Sequence, residues 1–561
     1  MAPISALRND SAEALVSDIE AQFDLAPAQL EDLTKAFLDE VAQGLGAYGH
    51  PLAMIPTFVT GVPDGTETGT FLALDLGGTN LRVCEVSLHG DQTFDLRQQK
   101  YKVSEQLKSG EATVLFDYLA DSVDAFLTDS AAAPPSGVTT PGIPASLASP
   151  SLDGPGDSPV VNLGLTFSFP VEQSALDSGV LLTWTKGFSA RNAIGHDIVK
   201  LLQDAFDRKH MHVKCVALVN DTVGALLSRA YTSGGCILGA IFGTGTNGAW
   251  VEDVHKITKL GNSPAAALGG QMIVNTEWGA FNNSRSHLPS TPFDNKLDRE
   301  SINPRFQAFE KFISGMYLGE ITRNVLLSLV DASPKPVLFG GRSSSVLNAH
   351  YGLDTAVMSD VEEAWEAELN AAPEPQQTAT PPPTKADEKK TVERESLSSP
   401  HWEASLSTLE HARLERVRKV VIAKLELPAE AVSLRDAAIV RRVVTMVAGR
   451  AAKLSGAAIA ATMVQTERAV LGGGPPPPAK KGEETRIGVG VDGSLIQFYP
   501  NYERSMRESL RVLIGEETER RVDIGMAKDG SGVGAALCAL QAAKQAALHQ
   551  DKSLPNRPAR I

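Results

Sequence analysis

Two short turns rich in glycine and threonine, each between two apolar runs, constrain this chain more than any other feature. The first, 77–80, separates FLALDL (71–76) from LRVCEVSL (81–88), and the second separates CILGAIF (236–242) from GAWVED (248–253). Such runs around such turns predict β-hairpins. Exposed turn amides beside a hydroxyl form an anion-binding nest, and glycine lets a phosphate approach the backbone closely. The pair therefore favours a fold that holds successive phosphates of one nucleotide, with purely structural turns as the alternative.

Three glycine-rich stretches match, or nearly match, the dinucleotide fingerprint G-x-G-x-x-G. That fingerprint must follow a strand and open a helix, because the pyrophosphate sits at the helix N-terminus. GTGTNG (243–248) and GVGVDG (488–493) are followed by AWVED and SLIQFYP, which both have strand-like patterns. GSGVGA (530–535) opens a helix but lacks the acidic residue expected about twenty residues later. The context therefore disfavours a dehydrogenase.

Apolar periodicity along the rest of the chain predicts helices and strands that alternate in two blocks. VKCVALVND (213–221) has the pattern of a buried strand, and TVGALLSRAY (222–231) continues with helical spacing. Further helices are expected at 31–44, 113–128, 191–208, 304–330, 408–426 and 434–464, and from the turn at 529–532 to about 549. This alternation predicts an α/β fold.

Length and charge narrow the class of protein. The chain has 561 residues, enough for two to four domains, and its 52 basic and 67 acidic residues give a formal net charge of −15. An acidic chain is not expected to bind nucleic acid along its length, although a local loop can still hold a nucleotide. The four cysteines form no C-x-x-C pair, so neither a disulfide framework nor a zinc site is expected.

The first twenty residues and the longest apolar stretch bear on location. The N-terminus lacks an apolar h-region, so no secretory signal is expected and a reducing, cytoplasmic compartment is favoured. The stretch 437–464 is interrupted by arginines and a lysine, which predicts a packed helix and no membrane span. Three proline-rich tracts (130–159, 372–400 and 472–485) are expected to be mobile surface insertions.

A set of motifs in a fixed order resembles the eukaryotic hexokinase family. The motifs are LDLGGTNLRV (74–83), LGLTFSFP (163–170), WTKGF (184–188), VNDT (219–222), FGTGTNGAW (242–250), NTEWGAF (275–281), FEKFISGMYLGE (309–320), VDGSLIQFYP (491–500) and DGSGVGAAL (529–537). The similarity spans roughly 30–365 and 405–550. SGMYLGEITRNVLL (314–327) and HYGLDTAVMS (350–359) are most similar to fungal glucokinases.

The resemblance implies an actin-like ATPase fold of the ribonuclease H-like class, with two lobes around a deep cleft. It implies an N-terminal helical segment at 1–70 on the large lobe and a small lobe at 71–221. The large lobe would cover 222–528, and residues 529–561 would return to the small lobe as a C-terminal helix with a tail. The implied activity is ATP-dependent phosphorylation of glucose at its 6-hydroxyl, the first step of glycolysis, with Mg²⁺ accompanying ATP. The partners are glucose and ATP, mannose stays open as a further substrate, and the protein is expected to be a monomer or a homodimer.

The resemblance also assigns two groups of residues. The sugar would be held by Ser168, Thr185, Lys186, Asn220, Asp221, Asn247, Glu277 and Glu310. The nucleotide would be held by Asp75, Leu76, Gly77, Gly78, Thr79, Asn80, Lys100, Gly243, Thr244, Gly245, Asp492, Gly493, Ser494, Gly530, Ser531 and Gly532, with Asp75 reaching the metal through water. Three positions depart from the usual family residues: Leu165 replaces Phe, Thr276 replaces Cys and Asn282 replaces Asp. They remove no proposed contact, but Asn282 puts the loop after Glu277 in doubt.

Two of these residues would carry the chemistry. Phosphoryl transfer needs positioning, neutralisation of charge and a base near the attacking hydroxyl. Asp221, at the end of an apolar strand, would act as the general base, and capping of the following helix is its structural alternative. Lys186 would place a compact cation near the transferred phosphate, and a solvated loop lysine is the alternative.

The remaining assignments concern sugar recognition and packing. Glu277 and Glu310 would accept hydrogen bonds from sugar hydroxyls, and a surface charge is the alternative for Glu310. Trp184 and Trp278 are expected to be packing anchors.

Two other functions compete: a sugar-sensing regulator on the same scaffold, and another actin-fold ATPase such as a heat-shock chaperone or a filament subunit. A broad-specificity hexokinase is the remaining alternative within the family.

Overall fold

The computed structural model describes residues 12–78, 80–131, 148–149, 160–185, 187–367, 399, 401–475 and 486–553. The helices are α1 (Ala12–Phe23), α2 (Pro27–Gly46), α3 (Glu105–Ser109), α4 (Ala112–Ala131), α5 (Ile198–Arg208), α6 (Asp221–Ser233), α7 (Pro264–Leu268), α8 (Pro292–Glu300), α9 (Ala308–Ile313), α10 (Gly315–Val330), α11 (Ser345–Asn348), α12 (Thr355–Glu366), α13 (Thr408–Lys424), α14 (Leu434–Gln465), α15 (Ser494–Phe498), α16 (Tyr502–Ile514), α17 (Glu516–Arg521) and α18 (Gly530–Ser553). The strands are β1 (Ile55–Pro56), β2 (Thr68–Leu76), β3 (Asn80–His89), β4 (Phe94–Lys102), β5 (Ala148–Ser149), β6 (Val160–Phe167), β7 (Val171–Ala175), β8 (Ser178–Leu181), β9 (Val213–Val219), β10 (Leu238–Phe242), β11 (Thr246–Asp253), β12 (Gln271–Asn275), β13 (Ile487–Asp492) and β14 (Val522–Met526).

The chain folds into two compact units that are each assembled from separate segments. The first contains Met1–Leu30, Ser284–Gly456 and Phe498–Ser509, and the second contains Glu31–Asn283, Ala457–Gln497 and Leu510–Ile561. The domain boundaries inferred from sequence divide the chain differently and stay predictions. The three proline-rich tracts lie largely outside the described residues.

Two mixed sheets form the framework of the second unit. One has the order β4-β3-β2-β6-β5, and β9 pairs with β6. The other has the order β1-β12-β11-β10-β13-β14. Strands β2, β6 and β9 run parallel, as do β10, β13 and β14, whereas each predicted hairpin, β2–β3 and β10–β11, is antiparallel. Both sequence-predicted hairpins are therefore confirmed.

The alternating side chains of β2 explain how the first sheet is covered on both faces. Leu72, Leu74 and Leu76 join a cluster that also contains side chains of α4 and α5. Phe71 and Ala73 point the other way and join a cluster with side chains of α6 and α18. Because successive strand residues face opposite sides of a sheet, Asp75 shares the face of Ala73. This register places a carboxylate on the side of the sheet where α6 and α18 pack.

The first unit is organised by helices and by buried ion pairs. Arg450 of α14 donates to both carboxylate oxygens of Asp294 at 2.7 and 2.8 Å, and both side chains are buried. Arg323 pairs with the buried Glu320 one helical turn away. Helix α14 is, among the described residues, the helix that is long and apolar enough to cross a membrane by length and composition. Since 78% of its most apolar window is buried inside the protein, it fits the predicted packed helix.

Three predicted elements differ from the structure. The helix expected at 191–208 begins only at Ile198, because the Asp197 side chain caps it by accepting from Val199 and Lys200. The helix expected at 304–330 is two helices, since Ser314 has an extended backbone between them. The strand predicted for SLIQFYP is wrong, because these residues form helix α15. GVGVDG nevertheless lies largely within strand β13, so it does not follow a strand as a dinucleotide fingerprint must.

Candidate active site

A row of polar side chains crosses the first sheet on the face that carries Asp75. Across paired strands, Asp75 lies opposite Arg82, Arg82 lies opposite Lys100, and Thr166 is the partner of Asp75 on β6. Arg82 approaches the largely buried Asp75 carboxylate at 3.5 Å. Arg82 is not among the residues predicted from sequence, although directly opposite residues on one sheet face are expected to interact. The row combines a buried acid with two basic side chains, which suits a phosphate that arrives with a cation.

The predicted phosphate turns lie at strand ends. The first turn is closed by a hydrogen bond from the Gly77 amide to the carbonyl of Asn80 at 3.1 Å, and the second by one from Gly243 to Gly245 at 3.0 Å. Thr79 lies outside the described residues. In the first turn, Leu76 is buried and precedes Gly77 and Gly78. In the second turn, Thr244 is exposed. Both turns therefore have the compact form that presents backbone amides to an anion.

Strand β13 brings a third turn against the second one. Asp492 ends β13 beside Ile241 of β10, and Gly493 follows with a positive φ of 115°. A Cβ atom added at Gly493 would lie 2.5 Å from the carbonyl carbon of Phe242, so a side chain is excluded there. Ser494 then begins α15 and is exposed. The turns at 243–245 and 492–494 thus form one continuous surface.

The N-terminus of α18 reaches the same region of the second unit. The Thr166 hydroxyl donates to the carbonyl of Ser531 at 2.7 Å. A Cβ at Gly532 would lie 3.2 Å from the Cys84 sulfur, and one at Gly530 would lie 3.0 Å from the Ala225 Cα. The predicted residues 530–532 therefore form the first turn of a 24-residue helix, whose N-terminal amides and dipole favour negative charge.

Asn220 and Asp221 follow strand β9 at the start of α6. The Asn220 side chain caps this helix by accepting from the backbone amide of Thr222 at 3.0 Å. Asp221 is the first helical residue and is half-buried, and its carboxylate also accepts from Thr222 at 2.9 Å. Since Asn220 supplies the cap, Asp221 is not needed for that structural role.

A network of amides and a carboxylate joins three sequence-predicted sugar residues. The Asn247 amide donates to Asn220 at 3.5 Å and to Glu277 at 3.4 Å. Between them lies the buried Asn275, which accepts from Asn247 at 2.8 Å and donates to Glu277 at 2.8 Å. Asn275 was missed from sequence because an asparagine that ends a strand carries no sign of the partners it will find. Glu277 itself has a left-handed backbone, with φ of 54° and ψ of 44°, a strained conformation found preferentially at functional sites.

Aromatic packing supports the segments that carry Ser168 and Thr185. Phe169 contacts Trp184 edge-on at 4.9 Å between ring centroids, and Trp184 stacks on Phe188 at 5.3 Å. The Thr185 carbonyl accepts from the Phe188 amide, and the Ser168 amide donates to the Leu76 carbonyl at 3.5 Å.

The two tryptophans of these motifs also hold their own segments in place. The Trp184 indole donates to the Ala190 carbonyl, and the Trp278 indole donates to the Thr246 hydroxyl. Both tryptophans are therefore packing anchors, as predicted.

Comparison with known proteins identifies the family. A hexokinase family model matches residues 15–231, and a second hexokinase model matches 237–394 and 384–541. The glucokinase of Aspergillus niger is 38% identical over 94% of this chain and 96% of that protein. Glucokinase-1 of Saccharomyces cerevisiae is 35% identical over 94% of this chain and 97% of that protein. The chain belongs to the hexokinase family.

A solved relative confirms the fold predicted for this hexokinase. The hexokinase of Schistosoma mansoni, solved in complex with glucose, is 32% identical, covers 94% of this chain and 99% of its own, and has a TM-score of 0.71. The chain therefore has the α/β, actin-like ATPase fold of its family. The enzyme class, an ATP-dependent sugar kinase of the hexokinase and glucokinase type, is confirmed as well. The chaperone and filament alternatives are thereby set aside.

Two residues assigned to this hexokinase's site stay untested by the second unit's geometry. Lys186 falls outside the described residues, so its assignment stays a prediction. Glu310 belongs to the first unit, where it is half-buried in the first turn of the six-residue helix α9. Its neighbour Lys311 is buried and donates to Asp298 at 2.8 Å. The other assigned residues that the structure describes all belong to the second unit.

Proposed function

We propose that this hexokinase transfers the terminal phosphoryl group of ATP to the 6-hydroxyl of glucose, with Asp221 as the general base. One observation supports this role above all: Asp221 is coupled to both halves of the site. Its neighbour Asn220 belongs to the amide network with Asn247. The Asp221 charge also raises the pKa of Asp492 in the third phosphate turn, after burial as the larger cause. A carboxylate between sugar-binding amides and phosphate turns is suitably placed to accept the hydroxyl proton.

Sugar recognition in this proposal comes from fixed acceptors and donors. Glu277 and Asn247 are already held by Asn275, so their hydrogen-bonding atoms are oriented before the sugar arrives. An analogue that lacks a hydroxyl leaves such half-buried acceptors unpaired, which costs binding free energy. Ser168 and Thr185 complete the proposed sugar contacts of the second unit, and the assignment of Glu310 in the first unit stays a prediction. Mannose stays a second proposed substrate, because no contact of the described residues distinguishes it from glucose.

Nucleotide binding in this proposal uses the three turns and the start of α18. The backbone of these turns would lie along the phosphates, and Arg82 and Lys100 would add positive charge beside Asp75. Proposed Lys186 would neutralise charge that develops on the transferred group. These groups act by position and charge, which is what phosphoryl transfer requires of a protein.

The acidic residues of the second unit fit a magnesium ion that accompanies ATP. Burial raises the pKa of Asp492, and the negative charges of Asp221 and Asp529 raise it further, whereas Arg82 lowers it. Carboxylate oxygens are the protein ligands that Mg²⁺ prefers. Asp75 and Asp492 would hold the ion, directly or through water. When bound, Mg²⁺ neutralises phosphate charge and orients the terminal phosphate.

The decisive experiment replaces the base and keeps its shape. In Asp221→Asn we expect turnover to fall by about 10²- to 10⁴-fold, because general-base catalysis contributes that much, while glucose still binds. Coupled-assay turnover and calorimetric glucose titration measure the two quantities separately. The matched control is Asp207→Asn, an exposed carboxylate on α5 that bonds only Gln203 among the hydrogen bonds described. Turnover of Asp221→Asn close to that of the control would remove Asp221 from its role.

The same assay separates the enzyme from a sugar-sensing regulator. ATP turnover that appears only when glucose is added supports the kinase, whereas glucose binding without turnover supports the regulator. Turnover on glucose, mannose and fructose then separates a glucokinase from a broad-specificity hexokinase.

We also propose a cytoplasmic location and a monomeric or homodimeric state. Cell fractionation tests the first, and light scattering tests the second.

A further inference from the structure

A lysine of the second unit ties together two segments of the chain that lie outside the assigned site residues. Lys259 belongs to the short 3₁₀ helix Thr258–Leu260, and its side chain is half-buried. Its Nζ donates to the carbonyl of Gly44 at 2.8 Å and to the carbonyl of Ala53 at 2.7 Å. It also lies 4.9 Å from the centroid of the Tyr48 ring. One ammonium group therefore joins the last turn of α2 to the segment that precedes β1.

The surroundings of this ammonium group are costly for a charge. Burial lowers the pKa of Lys259 to about 8, and the charge of Glu172 opposes this effect. The side chain is therefore still mostly protonated at pH 7. A buried cation costs free energy unless polar partners compensate for the lost water. The Gly44 carbonyl is such a partner, because carbonyl groups in the last turn of a helix lack intrahelical donors and favour a cation.

The two segments that Lys259 joins are also packed closely against each other. A Cβ atom added at Gly44 would lie 2.2 Å from the carbonyl oxygen of Leu52 and 2.6 Å from the Met54 Cγ. Met54 is buried and has a positive φ of 46°, which is strained for a residue with a side chain. Strained residues persist only where the surrounding structure fixes them. The bond from Lys259 to Ala53, the neighbour of Met54, is one contact that does so.

The segment that Lys259 holds forms an edge of the second sheet. The Met54 amide donates to the Thr276 carbonyl at 3.2 Å, and the two-residue strand β1 pairs with β12. At the other end of this segment, the Thr57 amide donates to the Ile273 carbonyl at 3.1 Å. Lys259 therefore fixes the end of the segment that contacts Thr276.

Thr276 links this edge to the proposed sugar residues. Its hydroxyl donates to the Gly248 carbonyl at 2.8 Å and lies 3.3 Å from the side-chain oxygen of Asn247. The next residue, Glu277, has the left-handed backbone and accepts from Asn275. A shift of the Thr276 backbone would therefore move two of the side chains proposed to hold glucose.

We infer that Lys259 is a positioning residue for glucose, which fixes the segment before β1 and, through it, Thr276 and Glu277. The inference rests on the proposed sugar contacts of Asn247 and Glu277. Groups that are oriented before a ligand arrives lose less freedom on binding, so their affinity is higher. Loss of Lys259 should therefore weaken glucose binding and leave the phosphate turns in place.

The test replaces Lys259 by methionine, which keeps an unbranched stem and removes the donor. Calorimetric titration of the full-length protein should show that Lys259→Met binds glucose about tenfold more weakly than wild type, because hydrogen bonds from a charged group are lost. The KM for ATP should change by less than about twofold, since binding of the nucleotide does not depend on this segment. Turnover at saturating glucose should be largely kept.

Hydrogen exchange followed by mass spectrometry tests the route of the effect. Without glucose, exchange in Lys259→Met should be faster than in wild type at 52–57 and 271–277, and it should be unchanged at 487–492 in β13. A change in overall stability alone would not confine the faster exchange to these two segments.

The matched control is Lys256→Met on the preceding turn. Lys256 is also half-buried, donates to the Gln465 carbonyl at 3.0 Å and pairs with Glu467 at 2.8 Å. None of its described bonds reaches the segment before β1. Lys256→Met should therefore bind glucose with the affinity of wild type.

The outcomes separate this inference from the proposed function. Equal glucose affinity in wild type and Lys259→Met would overturn the inference and leave the kinase activity standing. Faster exchange at 52–57 with unchanged affinity, or equal weakening by Lys256→Met, would reduce Lys259 to a structural residue. Absence of glucose binding to wild type would refute the proposed function as well. If Lys259→Met does not fold, Lys259→Gln, which replaces the cation by a neutral amide, is measured against the same outcomes.

Discussion

At the scale of single residues, Asn275 links the two side chains proposed to hold glucose. It accepts from Asn247 and donates to Glu277, each at 2.8 Å, from a buried position. Hydrogen bonds to charged groups contribute about 1.5–3 kcal/mol, so Asn275→Ala should raise the KM for glucose by roughly 10- to 100-fold. The KM for ATP should change far less, because Asn275 contacts none of the phosphate turns. Steady-state kinetics with each substrate varied measure both values.

The matched control for Asn275 is Asn348→Ala, an exposed asparagine of α11 whose oxygen accepts from Ser343. It should leave both KM values unchanged. An equal rise in the KM for glucose and for ATP in Asn275→Ala would instead indicate general disruption of the second unit. In that case Asn275 would be a packing residue and not a positioning residue.

Asp492 is the residue for which function and stability should conflict. Its pKa is raised in the folded protein by burial and by two neighbouring acids, so folding disfavours its ionised form. At low pH, Asp492 is protonated in the folded and the unfolded protein, and its burial costs no stability. The free energy of unfolding falls as pH rises through the raised pKa, because the unfolded chain gives up this proton more readily. Asp492→Asn should raise the free energy of unfolding at pH 7, and the gain should shrink toward pH 4. Urea unfolding at several pH values measures this trend.

The same variant should lose affinity for Mg·ATP, since it removes a proposed metal ligand. Stabilising substitutions at functional sites commonly lower activity for this reason. A variant that is less stable than wild type at pH 7 would contradict the electrostatic argument. Unchanged KM for ATP would contradict the proposed role at the third turn.

At the scale of elements, the contact between α6 and α18 depends on glycine. A Cβ at Gly534 would lie 2.2 Å from the Cα of Gly224, and one at Gly224 would lie 2.6 Å from the carbonyl oxygen of Gly530. Gly534→Ala must push the helices apart, and such overpacking costs about 1–3 kcal/mol. Because α18 also carries the turn at 530–532, the KM for ATP should rise together with the loss of stability. Thermal unfolding and kinetics measure the two effects.

Gly449→Ala in α14 is the control for that substitution. It makes the same chemical change in a helix interior but meets no atom within 4 Å. It should stabilise the protein by about 0.5–1 kcal/mol, because alanine is the better helix former. If Gly534→Ala proved as stable as Gly449→Ala, the close approach of α6 and α18 would be wrong.

The elements also show what sequence patterns can and cannot predict. The two hairpins were predictable because alternation and turn chemistry lie within about twenty residues of each other. Helix α15 was not, since its five residues are too short for periodicity and its start depends on the tight turn at Gly493. Asn220 was assigned to the sugar while its capping role went to Asp221, because either residue type can cap a helix. Arg82 was missed although the predicted hairpin already places it opposite Asp75. Asn275 was missed because its partner Asn247 lies on β11, which the sequence does not pair with β12.

At the scale of the whole molecule, the four cysteines report on folding of the second unit. Cys84, Cys215, Cys236 and Cys538 are all buried, and all belong to that unit. Burial raises the pKa of each thiol to about 12, whereas an unperturbed thiol has a pKa of about 8.5. At pH 8 the native thiols are therefore almost wholly protonated, and unfolding converts roughly a quarter of each to the reactive thiolate. A disulfide reagent should react with them only after the unit opens.

The sign of the pH dependence follows from these raised pKa values. Well below about pH 8.5 the thiols are protonated in both states and do not affect the balance, and the unfolded thiols begin to ionise as pH approaches that value. As pH rises above that value the unfolded chain loses protons that the native chain keeps, so the free energy of unfolding should fall. Urea titrations between pH 8 and pH 10, followed by thiol release, should show four thiols appearing in one transition whose midpoint drops with pH. Rapid reaction of any of the four thiols in the native enzyme at pH 8 would contradict their protection by burial. Cys84 is the most informative of the four, because its sulfur adjoins Gly532 of the proposed nucleotide site.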